Sequence, residues 1–133
     1  MVRIIDASVA IKWFVDEHDR EKAIQILEEI INNPTNFAVP ELFYFELAHI
    51  FNRLIINPSD IQLELLSQIA ILGFHRFSAT PALLIEIRRF QKLGLSGYDA
   101  AYVGLARMTK GKWITFDRQA HEKIAHLKLS EVL

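Results

Sequence analysis

The stretch Val2-Arg3-Ile4-Ile5-Asp6-Ala7-Ser8 opens the chain with a short apolar run that ends at an acidic residue. Short apolar runs of this kind are typical of buried β-strands, so we predict a strand over residues 2–5 with Asp6 at its carboxyl end. The apolar residues that come after Ser8 predict a helix. The opening stretch therefore predicts a strand-to-helix unit that carries a carboxylate at its junction.

The rest of the chain continues this alternation of strands and helices. Further strands are predicted over residues 37–39, 74–77, 113–116 and 127–129, with helices between them. Signals for helix starts separate the elements: Pro40 as a first helical residue, Ser59 and Gln62 as a capping box, and Ser96 as an N-cap. The pattern predicts a Rossmann-like, three-layer α/β/α fold with a parallel sheet of about five strands. Because 133 residues suffice for one core, we expect a single domain over residues 1–133.

Three more acidic residues lie in apolar surroundings similar to those of Asp6: Glu46, Asp99 and Asp117. The carboxyl ends of parallel strands share one edge of a sheet, so we expect all four carboxylates to meet there. Two carboxylates about 6 Å apart repel by roughly 3 kcal/mol at an effective dielectric constant of about 20, a large share of the stability of a domain. The cluster therefore predicts a bound divalent cation on which Asp6, Asp99 and Asp117 converge. Oxygen ligands favour Mg²⁺ or Mn²⁺.

Helix capping is the alternative role for three of these residues. Asp is a preferred N-cap, which suits Asp6 and Asp117, and Asp99 stands three residues after Ser96 as in a capping box. For these three residues the two roles stay open. Capping does not explain Glu46, which lies too deep in its predicted helix to cap it.

The composition limits the partners that this chain can have. Its formal net charge is −1, so any contact with nucleic acid has to be local. The absence of cysteine excludes a disulfide scaffold and fits a cytoplasmic protein. The predicted first strand begins at Val2, so we expect no cleavable signal segment. No apolar run reaches the ~18 residues of a membrane span, so we expect no membrane association. The apolar fraction of 51% indicates that some surface is reserved for a partner, most simply a second copy.

Four motifs follow one another along the chain: Asp6-Ala7-Ser8-Val9-Ala10-Ile11-Lys12-Trp13-Phe14, Pro40-Glu41-Leu42-Phe43-Tyr44-Phe45-Glu46, Leu95-Ser96-Gly97-Tyr98-Asp99-Ala100 and Thr115-Phe116-Asp117. In this order they resemble the motifs of the PIN domain family, and within it the VapC-type toxins of toxin-antitoxin pairs. The resemblance implies a ribonuclease that depends on Mg²⁺ or Mn²⁺. It also implies which residues act there: Asp6, Glu46, Asp99 and Asp117 as catalytic metal ligands, with the hydroxyl groups of Ser8 and Thr115 near the metal-bound water.

The same resemblance implies an RNA substrate, a VapB-type antitoxin and a homodimer, and we expect the antitoxin to cover the helices over residues 41–72. Lys12 and Arg118 adjoin two of the acids in sequence, so we add them as candidate contacts to the flanking phosphates. Two other interpretations stay open. One is a degenerate PIN module that only binds RNA or protein. The other is a phosphatase with an aspartyl nucleophile, which needs a second Asp where this chain has Ser8.

Overall fold

A computed structural model describes residues 1–133 and contains five strands, seven α-helices and three short 3₁₀ turns. The strands are β1 (Arg3–Ile5), β2 (Phe37–Pro40), β3 (His75–Phe77), β4 (Lys112–Thr115) and β5 (Ser130–Val132). The helices are α1 (Ala7–Ala10), α2 (Arg20–Asn32), α3 (Leu42–Leu54), α4 (Asp60–Ile69), α5 (Pro81–Gln91), α6 (Gly97–Thr109) and α7 (Arg118–Ile124). None of the helices combines the length and hydropathy of a bilayer-spanning segment.

All five strands run parallel, in the order β3-β2-β1-β4-β5. In the centre of the sheet Ile4 lies between Ala38 of β2 and Trp113 of β4, and all three are fully buried. The chain reverses the direction in which it adds strands at β1, so the carboxyl ends of β1 and β4 flank a topological switch point. The predicted three-layer α/β/α fold with about five parallel strands is confirmed.

Helix α6 packs directly against the three central strands. It is buried on nearly every side because most of its positions carry small or apolar residues, and α5 lies close against it. A Cβ atom added at Gly104 would stand only 3.0 Å from the Cβ of Glu86, so the glycine permits this close approach. The tight packing fixes the position of the amino end of α6, which carries Asp99.

Two predicted boundaries are wrong. Pro40 is the last residue of β2 and not the first residue of a helix, and the backbone N–H of Glu41 donates to the carbonyl of Phe77. A proline at the end of a strand removes only one hydrogen-bond donor from the sheet, so β2 can end at Pro40. The fifth strand is Ser130–Val132 and not residues 127–129, because Ala125–Leu127 form a 3₁₀ turn that Lys128 closes in the left-handed region, with φ of 57°. The capping box of Ser59 and Gln62 and the N-cap Ser96 are confirmed.

Candidate active site

Four carboxylates lie at the carboxyl edge of the sheet, and we call Asp6, Glu46, Asp99 and Asp117 the acid cluster. Asp6 follows β1 and caps α1, and Asp117 follows the end of β4 and caps α7. Asp99 lies in the first turn of α6, and Glu46 lies about one turn into α3. The topology therefore brings together residues that are more than a hundred positions apart in the chain.

Asp6 is the most buried member of the acid cluster, with only 8% of its surface exposed. Its Oδ1 accepts a hydrogen bond of 2.8 Å from the Ser8 backbone N–H. Its Oδ2 accepts bonds of 2.8 Å from the Thr115 hydroxyl and 3.1 Å from the Trp113 indole N–H. Burial nevertheless raises the pKa of Asp6 from 3.8 to about 6, and the charges of Asp99 and Glu46 add to this. A negative charge at this position is costly even with three donors around it.

Glu46 is held by a buried tyrosine of α6. The Tyr102 hydroxyl donates a 2.7 Å hydrogen bond to Oε1 of Glu46, while burial and the charge of Asp99 raise the pKa of Glu46. The Tyr102 ring stacks on the ring of Trp113, with centroids 6.2 Å apart and planes within 10°. Since Trp113 donates to Asp6, one stacked aromatic pair positions two members of the acid cluster.

Asp99 is the common neighbour of the other three acids. Burial raises its pKa first, the charge of Asp117 raises it further, and the positive charge of Lys123 lowers it. The charge of Asp99 in turn raises the pKa of both Asp6 and Glu46. The Lys123 ammonium group is tied to the edge by a 2.9 Å bond to the Gly94 carbonyl. Asp99 therefore lies at the centre of the repulsion within the acid cluster.

Asp117 is the exposed member, and its carboxylate accepts a 3.0 Å bond from the Ala120 backbone N–H. The two candidate hydroxyl groups, those of Ser8 and Thr115, bond to the backbone at and before Asp117. The Thr115 hydroxyl accepts from the Asp117 backbone N–H at 3.0 Å, and the Ser8 hydroxyl accepts from the Phe116 backbone N–H at 3.2 Å. The two hydroxyl oxygens are 3.4 Å apart. Ser8 and Thr115 thus join the β1–α1 and β4–α7 junctions and hold Asp6 and Asp117 in register.

The two candidate basic residues, Lys12 and Arg118, differ in their contacts and exposure. Lys12 donates a 2.8 Å hydrogen bond to the His18 carbonyl, pairs with Glu17 at 3.4 Å, and lies over the Phe116 ring. It therefore lines the site with its ammonium group already engaged. Arg118 is exposed at the start of α7.

Several residues of the site were not expected from the sequence. Tyr102 stands three positions after Asp99, so helical spacing already placed it beside that acid. Trp113 stands two positions before Thr115 in a strand, so both side chains face the same side of the sheet. Lys123 and Arg53 had no such signal, because only the tertiary fold brings α7 and the end of α3 to this edge.

The fit of a divalent cation rests on the chemistry of the donors. Negative charge is concentrated and partly buried, carboxylate oxygens are the donors offered, and the pKa values of Asp6, Glu46 and Asp99 are raised. These are conditions that Mg²⁺ or Mn²⁺ would relieve. No three acidic or histidine side chains are arranged as a formed cation site, however. The Thr115 hydroxyl donates to the Asp6 carboxylate and the Ala120 N–H donates to the Asp117 carboxylate. The convergence of Asp6, Asp99 and Asp117 on one cation stays a prediction.

The surface beside the acid cluster forms a groove along α3. A cavity of about 440 Å³ contains Glu46, and it shares Ile50 with a cavity of about 410 Å³ that contains Asp117. On the other side it shares Leu42 and Tyr98 with an apolar cavity of about 350 Å³. Two members of the acid cluster, Glu46 and Asp117, therefore line an extended groove.

A model of the PIN domain family matches residues 3–127, and the chain belongs to this family. PIN domains are generally nucleases, and each of the four motifs of the sequence contains one member of the acid cluster. Among proteins with curated descriptions, none matches the chain significantly.

Solved structures with a similar fold include several assemblies. A toxin-antitoxin complex from Klebsiella pneumoniae is 16% identical, with a TM-score of 0.70 over 98% of this chain and 96% of that chain. VapBC2 from Rickettsia felis, bound to a DNA fragment from its promoter, is 12% identical, with a TM-score of 0.67 over 100% of this chain and 99% of that chain. FitAcB from Neisseria gonorrhoeae is 14% identical, with a TM-score of 0.59 over 93% and 94%. At these identities the likeness is one of fold.

Proposed function

We propose that this chain is a single metal-dependent endoribonuclease domain and the toxin of a VapBC-type toxin-antitoxin pair. The observation that carries the proposal is the acid cluster, in which four carboxylates from four separate elements lie at the switch-point edge of the sheet and neighbouring acids raise the pKa values of Asp6, Glu46 and Asp99. A cluster of like charges destabilises the folded state, so its presence favours a functional role over a structural one. Membership in the PIN domain family supports the same conclusion.

The acids divide into roles by their surroundings. Asp6 and Asp99 are our choice for direct cation ligands, and Glu46 and Asp117 complete the set. A bound Mg²⁺ or Mn²⁺ would neutralise the carboxylates and supply Lewis acidity toward the scissile phosphodiester. Tyr102 and Trp113 fix the orientation of Glu46 and Asp6, so little reorganisation of these carboxylates is needed during the reaction.

We assign the hydroxyl groups and the basic side chains of the site to the substrate and the reacting water. Ser8 and Thr115 keep the two strand ends together beneath the site, where they also lie close to the reacting water that the resemblance implies. Lys12, Arg53 and Asp117 line the same cavity. The exposed Arg53 is available for the phosphates next to the cleaved bond, and Lys12 adds its positive charge there from a position fixed by the His18 carbonyl and Glu17. Arg118 is exposed on α7 and extends this set. The net charge of −1 makes such local contacts necessary.

The geometry of the site supports a nuclease better than a phosphatase or a module that only binds. A phosphatase would use a second Asp at position 8, but the Ser8 hydroxyl is occupied in joining the two strand ends. A module that only binds would have no need for four mutually repelling carboxylates. Helix capping is a real role of Asp6 and Asp117, and it occupies only part of each carboxylate.

A cleavage assay tests the function. We expect the purified protein to cut single-stranded or looped RNA in Mg²⁺ or Mn²⁺, and EDTA to abolish the cleavage, because the carboxylates alone repel the phosphodiester. Gel analysis of a labelled RNA, with and without EDTA, measures this. Heat-denatured protein is the control for contaminating nuclease. Cleavage that continues at the same rate in EDTA would contradict the metal-dependent mechanism.

Exposed apolar residues support the proposed partners. Besides Phe45, five of them lie on α3, α4 and the adjoining turns, within residues 41–72: Leu54, Ile56, Ile61, Leu63 and Ile71. We call these five residues the apolar patch, and exposed apolar residues on neighbouring elements are typical of surfaces that bind a partner protein. We propose that a VapB-type antitoxin covers this patch and that the protein is also a homodimer.

Sedimentation velocity tests the homodimer. We expect a dimer at micromolar concentration, because exposed side chains such as Leu84 and Ile85 of α5 add apolar surface outside the proposed antitoxin patch. A single monomeric boundary at that concentration would contradict this part of the proposal without affecting the nuclease assignment.

A further inference from the structure

Two exposed aromatic side chains stand next to two of the acids. Phe45 precedes Glu46 in α3 and is 71% exposed, and Tyr98 precedes Asp99 in α6 and is 63% exposed. Both line the cavity of about 440 Å³, together with Glu46 and His49. Large aromatic side chains usually bury most of their surface. Two exposed rings in one cavity are therefore available to a ligand.

We propose that this cavity is a nucleobase-binding subsite in which Phe45 and Tyr98 stack against an unpaired base of the RNA strand. The proposal rests on the proposed ribonuclease function and adds where a base next to the scissile phosphate is held. Every base presents a flat π face, so aromatic rings bind bases with little dependence on sequence. The ligand class is thus a single-stranded nucleic acid.

The positions of the rings relative to the acid cluster support this assignment. Phe45 lines the same cavity as Glu46, the acid that follows it in α3, and Tyr98 lines that cavity one position before Asp99 in α6. In a nucleotide the base and the phosphate are joined through a single ribose. A base held by the two rings therefore places its neighbouring phosphodiester within one nucleotide's reach of Glu46.

The rest of the cavity suits a base as well. Leu42 and Ile50 provide an apolar floor, and His49 offers ring nitrogens at the wall for the polar edge of the base. A base within a duplex is already stacked and cannot enter. The subsite therefore favours single strands and loops.

The groove changes character along α3. The adjoining cavity of about 410 Å³ shares Ile50 with the subsite and contains Lys12 and Arg53. Aromatic rings in one cavity and the exposed Arg53 in the next can hold a base and a phosphate of the same strand. Glu17 also lines the second cavity and pairs with Lys12, which adds its positive charge from a fixed position. An apolar protein surface would offer no phosphate to Arg53, so a nucleic acid fits the whole groove better.

Fluorescence anisotropy tests the subsite without cleavage. The probe is a short fluorescein-labelled, fully 2′-O-methylated single-stranded RNA, and its matched control carries abasic positions at its centre. We expect Phe45→Leu and Tyr98→Leu each to weaken binding of the full probe about tenfold, because leucine keeps the apolar contact and loses the flat ring. Both variants should bind the abasic probe as the parent does. Phe45→Trp should retain binding of the full probe.

The control for a general loss of surface hydrophobicity is Ile31→Ala, which changes an exposed residue of α2 outside the groove and should bind both probes as the parent does. Unchanged affinity of the leucine variants for the full probe, in a protein that cleaves RNA, would overturn the subsite alone. Equal losses on both probes would also overturn it. Conversion of a dimer to a monomer by Phe45→Leu would show instead that a second copy covers the rings. A parent protein that fails to cut RNA would overturn the proposed function and the subsite with it.

Discussion

Asp99→Asn should lower the rate of RNA cleavage by about 10²–10³-fold while the protein stays folded. The charge of Asp99 raises the pKa values of Asp6 and Glu46, and the charge of Asp117 raises the pKa of Asp99, so the substitution removes a proposed ligand at the centre of the site. Asn has the same shape and is a poorer ligand for Mg²⁺. The helix cap survives because Ser96, not Asp99, caps α6. Cleavage of a labelled RNA in Mg²⁺ and urea unfolding of the same samples measure the two effects.

The matched control is Asp60→Asn. Asp60 also lies in the first turn of a helix, α4, and it is exposed outside the acid cluster. We expect this variant to cut RNA at the parent rate, so that any loss in Asp99→Asn cannot be assigned to a weaker helix dipole. Asp117→Asn should keep its cap to Ala120 and still lose activity. Parent-like cleavage by both cluster variants would mean that Asp99 and Asp117 have no catalytic role, and it would remove the physical basis of the nuclease assignment.

The acid cluster was predictable because it depends on local signals and on topology. An apolar run that ends at Asp6 or Asp117 marks a strand end, and parallel pairing places all strand ends at one edge. From the sequence, capping and cation binding were alternative roles for Asp6. In the structure one oxygen of Asp6 caps α1, and the charges of Asp99 and Glu46 act on the same carboxylate. One carboxylate therefore serves both the local and the tertiary structure.

What the sequence could not supply depends on contacts between distant segments. The bond from Tyr102 to Glu46 and the bond from Trp113 to Asp6 join residues that are 56 and 107 positions apart. Pro40 fits a strand end as well as a helix start, and only its pairing with Phe77 decides between them. The Lys12 ammonium group donates a hydrogen bond to the His18 carbonyl, and no spacing in the sequence indicates this contact.

The charge of Asp6 should make the metal-free protein less stable as the pH rises. Its pKa is about 6 in the folded state against an ordinary value of 3.8, so the folded state holds the proton more tightly. The stability from protonated Asp6 is present below about pH 4 and is lost as the pH rises through about 6. The loss amounts to about 3 kcal/mol for this residue alone. Burial and neighbouring charges raise the pKa values of Glu46 and Asp99 in the same direction.

Asp6→Asn isolates this contribution because the amide does not ionise. In EDTA, urea unfolding at pH values between 4 and 8 should show a loss in the parent that is about 3 kcal/mol larger than in Asp6→Asn. The absolute stability of the variant will also change, since its amide hydrogens face the Trp113 donor, so the pH dependence is the quantity to compare. Asp16→Asn, which changes an exposed acid, should follow the parent. Parallel profiles for the parent and Asp6→Asn would contradict a costly charge at this position.

Mg²⁺ should reverse the same loss. At neutral pH a concentration of one hundred times the dissociation constant stabilises a folded protein by about 2.7 kcal/mol, and we expect this increment in the parent and a much smaller one in Asp6→Asn. The increment should shrink as the pH falls below about 6, because protonated Asp6 is no longer a ligand. A Mg²⁺ effect that is equal in the two proteins, or that does not depend on pH, would place the cation away from Asp6. A Mg²⁺ stabilisation that depends on both Asp6 and pH would instead link cation binding to the repulsion within the acid cluster. The charge that destabilises the metal-free fold would then be the one that holds the ion.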